Sequence, residues 1–300
     1  MLTRNDIIRL NAAGLKTTFF DSFREPTTIY QTITIEIPSN KESESYAWLG
    51  ETNGLKPWKD ERVPHSLLEN GFSLKNEDYE DTIAVDKNAL ADEQYGQIKI
   101  RVQNMGTVAK QSYDEYLAAK IEANDVCYDG QNFFDTDHEE GESGVQSNVY
   151  TTGKAFSAAS LKIIMSDMRK FKMSNGKKAK VKPSHVMVPA DLEWTAMEVL
   201  DPAAISVTTD PSKAVMKGKL DIIVNDELAD NGANSVYYVL DLKSRAVKPF
   251  IFQNRQSITF EALDDPKNIE LFMRKKIYYG VEARFAFGYG DWRLAFRAQG

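Results

Sequence analysis

Apolar side chains recur every three or four residues between Ile98 and Ile121, with mostly polar residues between them. The positions that share this spacing after Ile98 are Val102, Met105, Ala109, Tyr113, Tyr116 and the run Ala119 to Ile121. The spacing places these side chains on one face of a helix, which we predict to begin at Asp81 or Asp92 and to end at Asn124 and Asp125. A helix of about 30 residues is roughly 45 Å long, so we expect it to support structure on both flanks.

Residues 1–40 show two short patterns. Ile7, Ile8 and Leu10 suit the start of a short helix. Residues 29–37 alternate apolar and polar positions, which predicts a half-buried strand that Pro38 ends. We interpret residues 1–40 as an extended arm, although an edge strand of the main core fits the pattern equally well.

Residues 41–92 are rich in acidic and aromatic side chains and have little periodicity. A long segment of this kind is either disordered or a loop whose large side chains find partners elsewhere. Trp48, Trp58, Tyr46 and Tyr79 argue against disorder, because disordered chains are depleted in aromatic residues. The composition therefore predicts a long loop that docks onto another subunit.

The middle of the chain mixes helices and strands. Residues 139–148 are typical of a linker or an exposed loop. We predict a helix over residues 157–171 with one apolar face made by Phe156, Ala159, Ile163, Ile164, Met168 and Phe171. Strands are predicted at residues 184–188, 219–225 and 235–241, and a helix capped by Asp191 is predicted to run to Leu200. These elements indicate an α/β sandwich-like second domain.

The last part of the chain predicts a pair of long strands. They are centred on residues 278–287 and 292–296, and the sequence from Gly288 to Asp291 between them is typical of a tight turn. We expect both strands to pack back on the long helix.

Composition restricts the class of protein. With 300 residues and 42% hydrophobic content the chain can bury one sizeable core or two smaller ones. No apolar run approaches the ~20 residues of a membrane span, and the charged residues at the start do not suit a signal peptide. We therefore expect the protein to be made and kept in a cytoplasm, with no membrane partner.

The cysteine content and the net charge argue against two further classes of protein. Cys127 is the single cysteine, which excludes an internal disulfide or a multi-cysteine zinc site, and we expect it to be a small buried residue. The net charge of −7 argues against a dedicated nucleic-acid binder. A basic run does occur at residues 169–172, followed by Lys177, Lys178, Lys180 and Lys182. Such a run is usually a solvated helix end, but together with the acidic segments it also suits self-association through complementary charge.

Candidate chemistry is sparse. Asp135, Asp137 and Glu139 match the first, third and fifth positions of a calcium loop, whereas Glu140 and Gln146 do not match the later positions. We therefore predict an acidic turn with local backbone hydrogen bonds and no metal site or cofactor. No phosphate-binding glycine motif or nucleophile elbow occurs in the sequence. The chain is not expected to be an enzyme, although a carboxylate-dependent cytoplasmic hydrolase remains an alternative.

Two longer motifs carry a resemblance to a known family. The first is YAWLGETNGLKPW at residues 46–58, which continues through Glu61, Arg62, GFSLKN at 71–76 and YEDTI at 79–83. The second is CYDGQNFFDTDH at residues 127–138, directly after the long helix. Both resemble the major head subunit of Mu-like phages, a gpT-type major capsid protein. The similarity covers most of the chain, but residues 145–260 match only in the order of their elements.

The resemblance implies an α+β fold of the HK97-like type found in the major capsid proteins of tailed phages. Its parts would be an N-terminal arm at 1–40, an extended loop at 41–92, a peripheral domain with a spine helix at 93–144 and 256–300, and an axial domain at 145–255. The intersubunit contact candidates are Tyr46, Trp48, Trp58, Arg62, Phe72 and Tyr79. A nanocompartment shell protein of the encapsulin type is the alternative with the same fold.

The implied function is structural. Copies of the chain would form hexamers and pentamers that close into an icosahedral head around double-stranded DNA, without sequence-specific binding of that DNA. A separate scaffolding protein and a portal are the further partners expected. The subunit would be assembled in the cytoplasm of a host bacterium and would end in the virion.

Overall fold

The architecture is given by a computed structural model that describes residues 4–46, 72–86, 95–200, 216, 218–244, 246–265 and 269–300. The helices are α1 (Arg4–Arg24), α2 (Tyr30–Ile33), α3 (Tyr95–Ala123), α4 (Ala158–Met168), α5 (Glu193–Leu200) and α6 (Ile269–Arg274). The strands are β1 (Thr34–Pro38), β2 (Ser43–Ser45), β3 (Ser73–Lys75), β4 (Glu77–Asp86), β5 (Val149–Tyr150), β6 (His185–Val188), β7 (Asp221–Val224), β8 (Tyr237–Leu240), β9 (Phe250–Leu263), β10 (Lys276–Tyr289) and β11 (Ala295–Ala298). Within these ranges no helix is both long and apolar enough to cross a bilayer.

The strands form two larger sheets and one short pair. The first sheet has the order β1-β9-β10-β4, in which β10 is antiparallel to both of its neighbours and β1 is parallel to β9. The second sheet has the order β5-β11-β8-β6-β7, in which β6 and β7 are parallel. Among the described strands, β2 and β3 pair only with each other. The chain is thus a mixed α+β protein, as predicted.

The predicted long helix is confirmed as α3, which contains 29 residues. It ends before Asn124, whose φ of +50° is left-handed, a conformation that asparagine tolerates better than most residues. The proposed start at Asp81 is wrong, because Asp81 lies in β4. Asp92, the other proposed start, lies outside the described residues.

The two halves of α3 are buried in two different hydrophobic cores. The first half packs with α1 and the first sheet, and this core includes Leu15, Phe19, Val102, Met105 and Tyr279. The second half contributes Tyr113, Leu117, Ala118 and Ile121 to a larger core that also contains the second sheet. The helix therefore does support structure on both flanks.

The predicted apolar stripe is wrong near the end of α3. Tyr116 is 38% exposed and Ala119 is exposed, whereas Leu117 and Ala118 are buried. The helical repeat of 3.6 residues shifts the buried face by part of a residue in each turn. After several turns, a pattern that steps by three leaves the buried face.

The N-terminal region contains more helix than expected. α1 is a long helix packed along α3, and residues 30–33 form α2 where a strand was predicted. The strand itself is shorter, and it is the edge strand of the first sheet, in parallel register with β9 from Thr34 to Pro38. Of the two alternatives for this region, the edge strand is the one observed.

The predicted terminal hairpin does not form. β10 pairs with β9 and β4, and β11 pairs instead with β8 and β5 in the second sheet. The turn after β10 carries the chain from one sheet to the other. Gly290 is required there, because a Cβ atom would lie 2.3 Å from the carbonyl oxygen of Lys248.

One predicted boundary between the peripheral and axial parts of the chain lies inside a strand. β9 runs across the proposed boundary at residues 255 and 256, and β11 belongs with the sheet of residues 149–240. In the proposed loop, residues 77–86 form the ten-residue strand β4 rather than irregular structure.

Three local predictions in the middle of the chain need correction. Ala159 and Ile163 are exposed on α4, because that helix buries Leu161 and Ile164 instead. The Asp191 side chain accepts a hydrogen bond from the Gly232 backbone (2.8 Å) and does not cap α5. Residues 139–148 are not simply a linker, because Ser143 and Asn148 are buried.

Candidate functional site

The strands β2 and β3 bring together the two ends of residues 47–71. The backbone N–H of Tyr46 donates to the carbonyl oxygen of Phe72 at 3.0 Å, and the two rings lie 6.4 Å apart. Residues 46 and 72 therefore lie side by side, and we call this place the base of the segment 47–71. Tyr46 is only 2% exposed, so its side chain packs inside the subunit and holds the base of the segment there.

A buried network of amides fastens the β2–β3 pair to β9. The Tyr46 hydroxyl donates to Gln253 Oε1, and Gln253 Nε2 donates to Asn76 Oδ1 at 2.7 Å. Asn76 Nδ2 in turn donates to Ser39 Oγ (3.0 Å) and to the Lys41 carbonyl oxygen (2.9 Å). Burial raises the pKa of Tyr46, so the hydroxyl remains a donor at neutral pH. The polar atoms of this network are satisfied, which gives the base of the segment a fixed geometry.

The predicted contact residues fall into two groups. Trp48, Trp58 and Arg62 lie outside the described residues. Tyr46 and Phe72 are brought together at the base, whereas Tyr79 lies apart from them on β4. There Tyr79 stacks on Phe285 at 4.2 Å and lies 4.5 Å from Tyr116.

A surface hollow adjoins the exposed side of α3. It has a volume of about 680 Å³ and is lined by β4 residues 81–84 and by the α3 residues Ile100, Arg101, Asn104, Met105 and Val108. Ile100 is 65% exposed and Val108 is 48% exposed. Large apolar side chains grouped on one exposed helix face are typical of a contact surface.

The motif at residues 127–138 forms a buried polar cluster behind the end of α3. His138 is fully buried; its Nδ1 lies 2.6 Å from Asp129 Oδ2 and its Nε2 lies 3.2 Å from Asn148 Oδ1. Cys127 Sγ donates to Asp129 Oδ1 at 2.9 Å. Burial of Asp129 would raise its pKa, but the hydrogen bonds from His138 and Cys127 outweigh burial and hold that pKa below its usual range.

Cys127, Asp129 and His138 are ligand types for a metal ion, and their ligand atoms lie within 4.8 Å of one another. A metal would need the Cys127 thiolate. Burial and the Asp129 charge raise the pKa of Cys127, which keeps the thiol protonated. Because the thiol, carboxylate and imidazole already bond to one another, the three residues fit a hydrogen-bond network better than a metal site. The expected burial of Cys127 is confirmed.

The acidic turn at Asp135 behaves as its sequence suggested. Asp135 Oδ1 accepts a hydrogen bond from the Thr136 backbone at 2.6 Å, which is the local bond expected of such a turn. A shared hydrogen bond with Asp135 raises the pKa of Asp137. Glu139 is exposed.

Arg293 is the centre of a second buried group that adjoins the motif. Its side chain is 1% exposed, and Nη2 lies 2.9 Å from Glu140 Oε1 while Nη1 lies 3.2 Å from Asp291 Oδ1. Nη1 also donates to the Tyr128 hydroxyl at 2.9 Å. This arrangement joins the loop after α3 to the crossing between the two sheets, and so it fixes how the sheets meet.

Gln253, Asn148 and Arg293 were not predicted from the sequence. Each acts through partners that are distant along the chain, and no local pattern distinguishes a buried amide or guanidinium from an exposed one. The motif at 127–138 could be recognised, but the residues that complete its cluster could not.

The chain is similar to a known protein family over nearly its whole length. A family model described as "Mu-like prophage major head subunit gpT" matches residues 8–159, 149–228 and 227–300. The "Mu-like prophage FluMu major head subunit" of Haemophilus influenzae is 24% identical over 98% of this chain and 74% of its own length. The "Major capsid protein" of Escherichia phage Mu is 25% identical over 90% of this chain and 66% of its own length.

Solved structures give the same fold. The procapsid of bacteriophage JBD30 matches with a TM-score of 0.61 and 24% identity, covering 100% of this chain and 76% of that chain. The SrpI encapsulin complex of Synechococcus elongatus matches with a TM-score of 0.51 and 9% identity, covering 90% of this chain and 85% of that chain. At these identities both matches concern the fold alone.

Proposed function

The chain belongs to the family of Mu-like prophage major head subunits, and from this membership we propose that its copies assemble into the closed protein shell of a phage head. The observation that carries the proposal is the family match, which extends from residue 8 to residue 300. Its named relatives are head and capsid subunits and not enzymes, which removes the hydrolase alternative. The encapsulin match concerns fold only, so the nanocompartment alternative is not favoured.

Each subunit of a closed shell must bind several neighbours through different surfaces. The segment 47–71 supplies one such surface, with Trp48, Trp58 and Arg62 as its contact residues. Buried tryptophan and arginine side chains dominate the energy of many protein interfaces. Support for this role comes from the rigid amide network at Tyr46 and Gln253, which holds the two ends of the segment in place.

The hollow on the exposed face of α3 is a surface that could receive such a segment from a second copy. Ile100 and Val108 would supply apolar contacts for the tryptophan side chains. Arg101 and Asp81 at its rim would supply polar contacts.

The finer organisation is proposed on the family resemblance. Subunits would form hexamers and pentamers around packaged double-stranded DNA, with a separate scaffolding protein and a portal as further partners. The net charge of −7 supports an enclosure that does not hold the DNA tightly. Retention of duplex DNA by the purified subunit at moderate salt would count against a loosely held genome.

The assembly state of the purified protein tests the proposal. Analytical ultracentrifugation with negative-stain microscopy should find shells, tubes or rings. A monomer or dimer at every concentration and salt, with or without a coexpressed scaffolding protein, would contradict it.

The role of the segment is tested with Trp58→Ala. This variant should assemble poorly while the thermal unfolding of its subunit is unchanged, and Trp58→Phe, which keeps an aromatic ring, should retain most of the assembly. Normal particles from Trp58→Ala would remove Trp58 from the interface.

A further inference from the structure

The second sheet carries opposite charges at its two ends. Because β6 and β7 are parallel, with His185 beside Asp221 and Val188 beside Val224, the residues that follow both strands lie at the same end. Helix α5 begins at that end and runs back to the other, where the Gly218 backbone donates to the Leu200 carbonyl oxygen at 3.2 Å. Residues before β7, such as Lys219, therefore lie at the opposite end.

The end that follows β6 and β7 is acidic. Its carboxylates are those of Asp191, Glu193, Asp226, Glu227 and Asp230. The Asp191 backbone N–H donates to Asp230 Oδ1 at 3.2 Å, which joins the two acidic loops. None of these carboxylates forms an ion pair with another residue in the described ranges. Trp194, in the first turn of α5, is 73% exposed beside them.

The opposite end contains a basic cavity of about 480 Å³. Five cationic side chains line it: Lys162, Arg169, Lys170, Lys178 and Lys219. Lys170 pairs with Asp167 at 2.7 Å, and the other four form no ion pair with any residue that the structure describes. Met165 and Met216 give the cavity apolar surface.

We propose that these two ends are the two halves of one contact between copies of the chain. The acidic end of one copy, with Trp194, docks into the basic cavity of the next copy. The inference rests on the proposed function, because it names the surfaces by which assembling subunits meet. It assigns a role to unpaired charges of both signs on one domain, an arrangement that gives partner specificity and fast association.

The two surfaces carry complementary types of side chain. An exposed indole binds well over a guanidinium such as that of Arg169, and a thioether such as that of Met165 makes favourable contacts with aromatic rings. The surrounding carboxylates and ammonium groups would then form a charged rim around an aromatic centre. Large exposed tryptophans within a polar rim are typical of interface hot spots.

The placement of the two halves also suits a second copy of this chain. They lie at opposite ends of strands about 13 Å long, so one subunit offers both halves at once. A contact between two different patches repeats from copy to copy, and it closes into a ring when the rotation between copies allows. The partner that docks on each half is therefore a second copy of this chain.

Charge reversal and its rescue test the contact. Arg169→Glu with Lys219→Glu should raise the protein concentration needed for assembly by about tenfold or more, and so should Glu193→Lys with Glu227→Lys. In the chain with all four changes the exchanged residues again carry opposite charges on the two halves, so it should assemble better than either two-residue variant. Lys177→Glu makes the same kind of charge change outside the cavity lining and should have little effect.

Trp194→Ala should weaken assembly as strongly as either charge reversal, whereas Trp194→Phe should be milder. Sedimentation velocity measures assembly, and circular dichroism with thermal melting shows that each variant subunit folds. The inference is overturned if the two-residue variants fold and assemble normally, or if the four-residue variant is no better than they are.

The test separates this contact from the proposed function and from another ligand. If the unmodified chain does not assemble at any concentration or salt, with or without a coexpressed scaffolding protein, the proposed function itself fails. If it assembles and all the variants do so equally well, only this contact fails. If reversal at Arg169 and Lys219 instead abolishes binding of duplex DNA and the four-residue variant does not recover assembly, the cavity is a phosphate site and the inference is wrong.

Discussion

The imidazole of His138 stacks on the indole of Trp292, with ring centroids 4.0 Å apart and planes inclined by 6°. Both side chains are fully buried. His138 belongs to the loop after the long helix, and Trp292 lies in the crossing from the first sheet to the second. The stack therefore joins the loop after the long helix to the crossing between the two sheets. The Arg293 cluster adjoins it, because Trp292 Nε1 and Arg293 Nη2 both contact Glu140 Oε1.

Arg293→Met should lower the free energy of unfolding of the subunit by about 3 kcal/mol or more, because it leaves the Glu140 and Asp291 carboxylates without their buried cation. Arg297→Met is the matched control, since Arg297 is partly exposed and forms no ion pair within the described ranges. That control should cost less than about 1 kcal/mol. Denaturant unfolding of unassembled subunits measures both. Equal losses in the two variants would show that the buried ion pairs do not stabilise the joint.

Asp114→Ala should release the turn between α1 and β1. The Asp114 carboxylate accepts hydrogen bonds from the backbone N–H groups of Ile29 (2.9 Å) and Tyr30 (2.8 Å), although burial raises its pKa. Leaving these donors without a partner costs about 1–3 kcal/mol. Hydrogen exchange should show faster exchange at the two amides, and Glu115→Ala on the exposed side of the same helix should leave them unchanged. Protection that survives in Asp114→Ala would mean that other groups hold this turn.

Subunit stability should fall as the pH falls through the region of the usual histidine pKa. Burial lowers the pKa of His185 below 6.5, against the attraction of Asp221 at 3.6 Å. The unfolded chain then binds this proton more tightly than the folded chain, so the loss begins near pH 6.5 and continues down to the folded pKa. Melting temperatures between about pH 8 and about pH 5.5 should show a smaller decline for His185→Asn. Parallel curves for the two proteins would exclude His185 as the cause.

The long helix was predictable because its signal is local and repeated over many turns. The same kind of reasoning failed at Gly288 to Asp291, where a sequence typical of a hairpin turn instead joins two sheets. The partner of β11 is decided by packing of distant residues such as Tyr238, and no local pattern records that choice.

The candidate site was predictable in part for the same reason. The aromatic residues near Tyr46 stood out in a polar segment, and the prediction of a contact segment rests on them. Composition gives the chemical type of a side chain but not its burial. It therefore could not separate Tyr46, an internal anchor bonded to Gln253, from side chains available for contact. The cluster around His138 was likewise visible only as a motif, because Trp292 and Asn148 complete it from far along the chain.

Gly106 should be required in the long helix although alanine forms helices better. A Cβ atom at residue 106 would lie 2.6 Å from the carbonyl oxygen of Phe19 and 3.2 Å from the backbone nitrogen of Phe23. These are backbone atoms of α1, so they cannot move aside without shifting that helix. The gain of about 1 kcal/mol in helix propensity should therefore be outweighed by overpacking, which typically costs about 1–3 kcal/mol.

The matched control is Gly96→Ala in the same helix, where a new Cβ atom would meet no other atom within 4 Å. Gly96→Ala should stabilise the subunit by up to about 1 kcal/mol, whereas Gly106→Ala should destabilise it and separate α1 from α3. Denaturant unfolding of both variants gives the sign of each change. Because both substitutions replace glycine by alanine in one helix, and only the Cβ atom at residue 106 meets α1, opposite signs isolate the contact between the helices. Stabilisation by both would mean that α1 can move away from α3 at little cost, and that their close packing is not what retains a glycine at position 106.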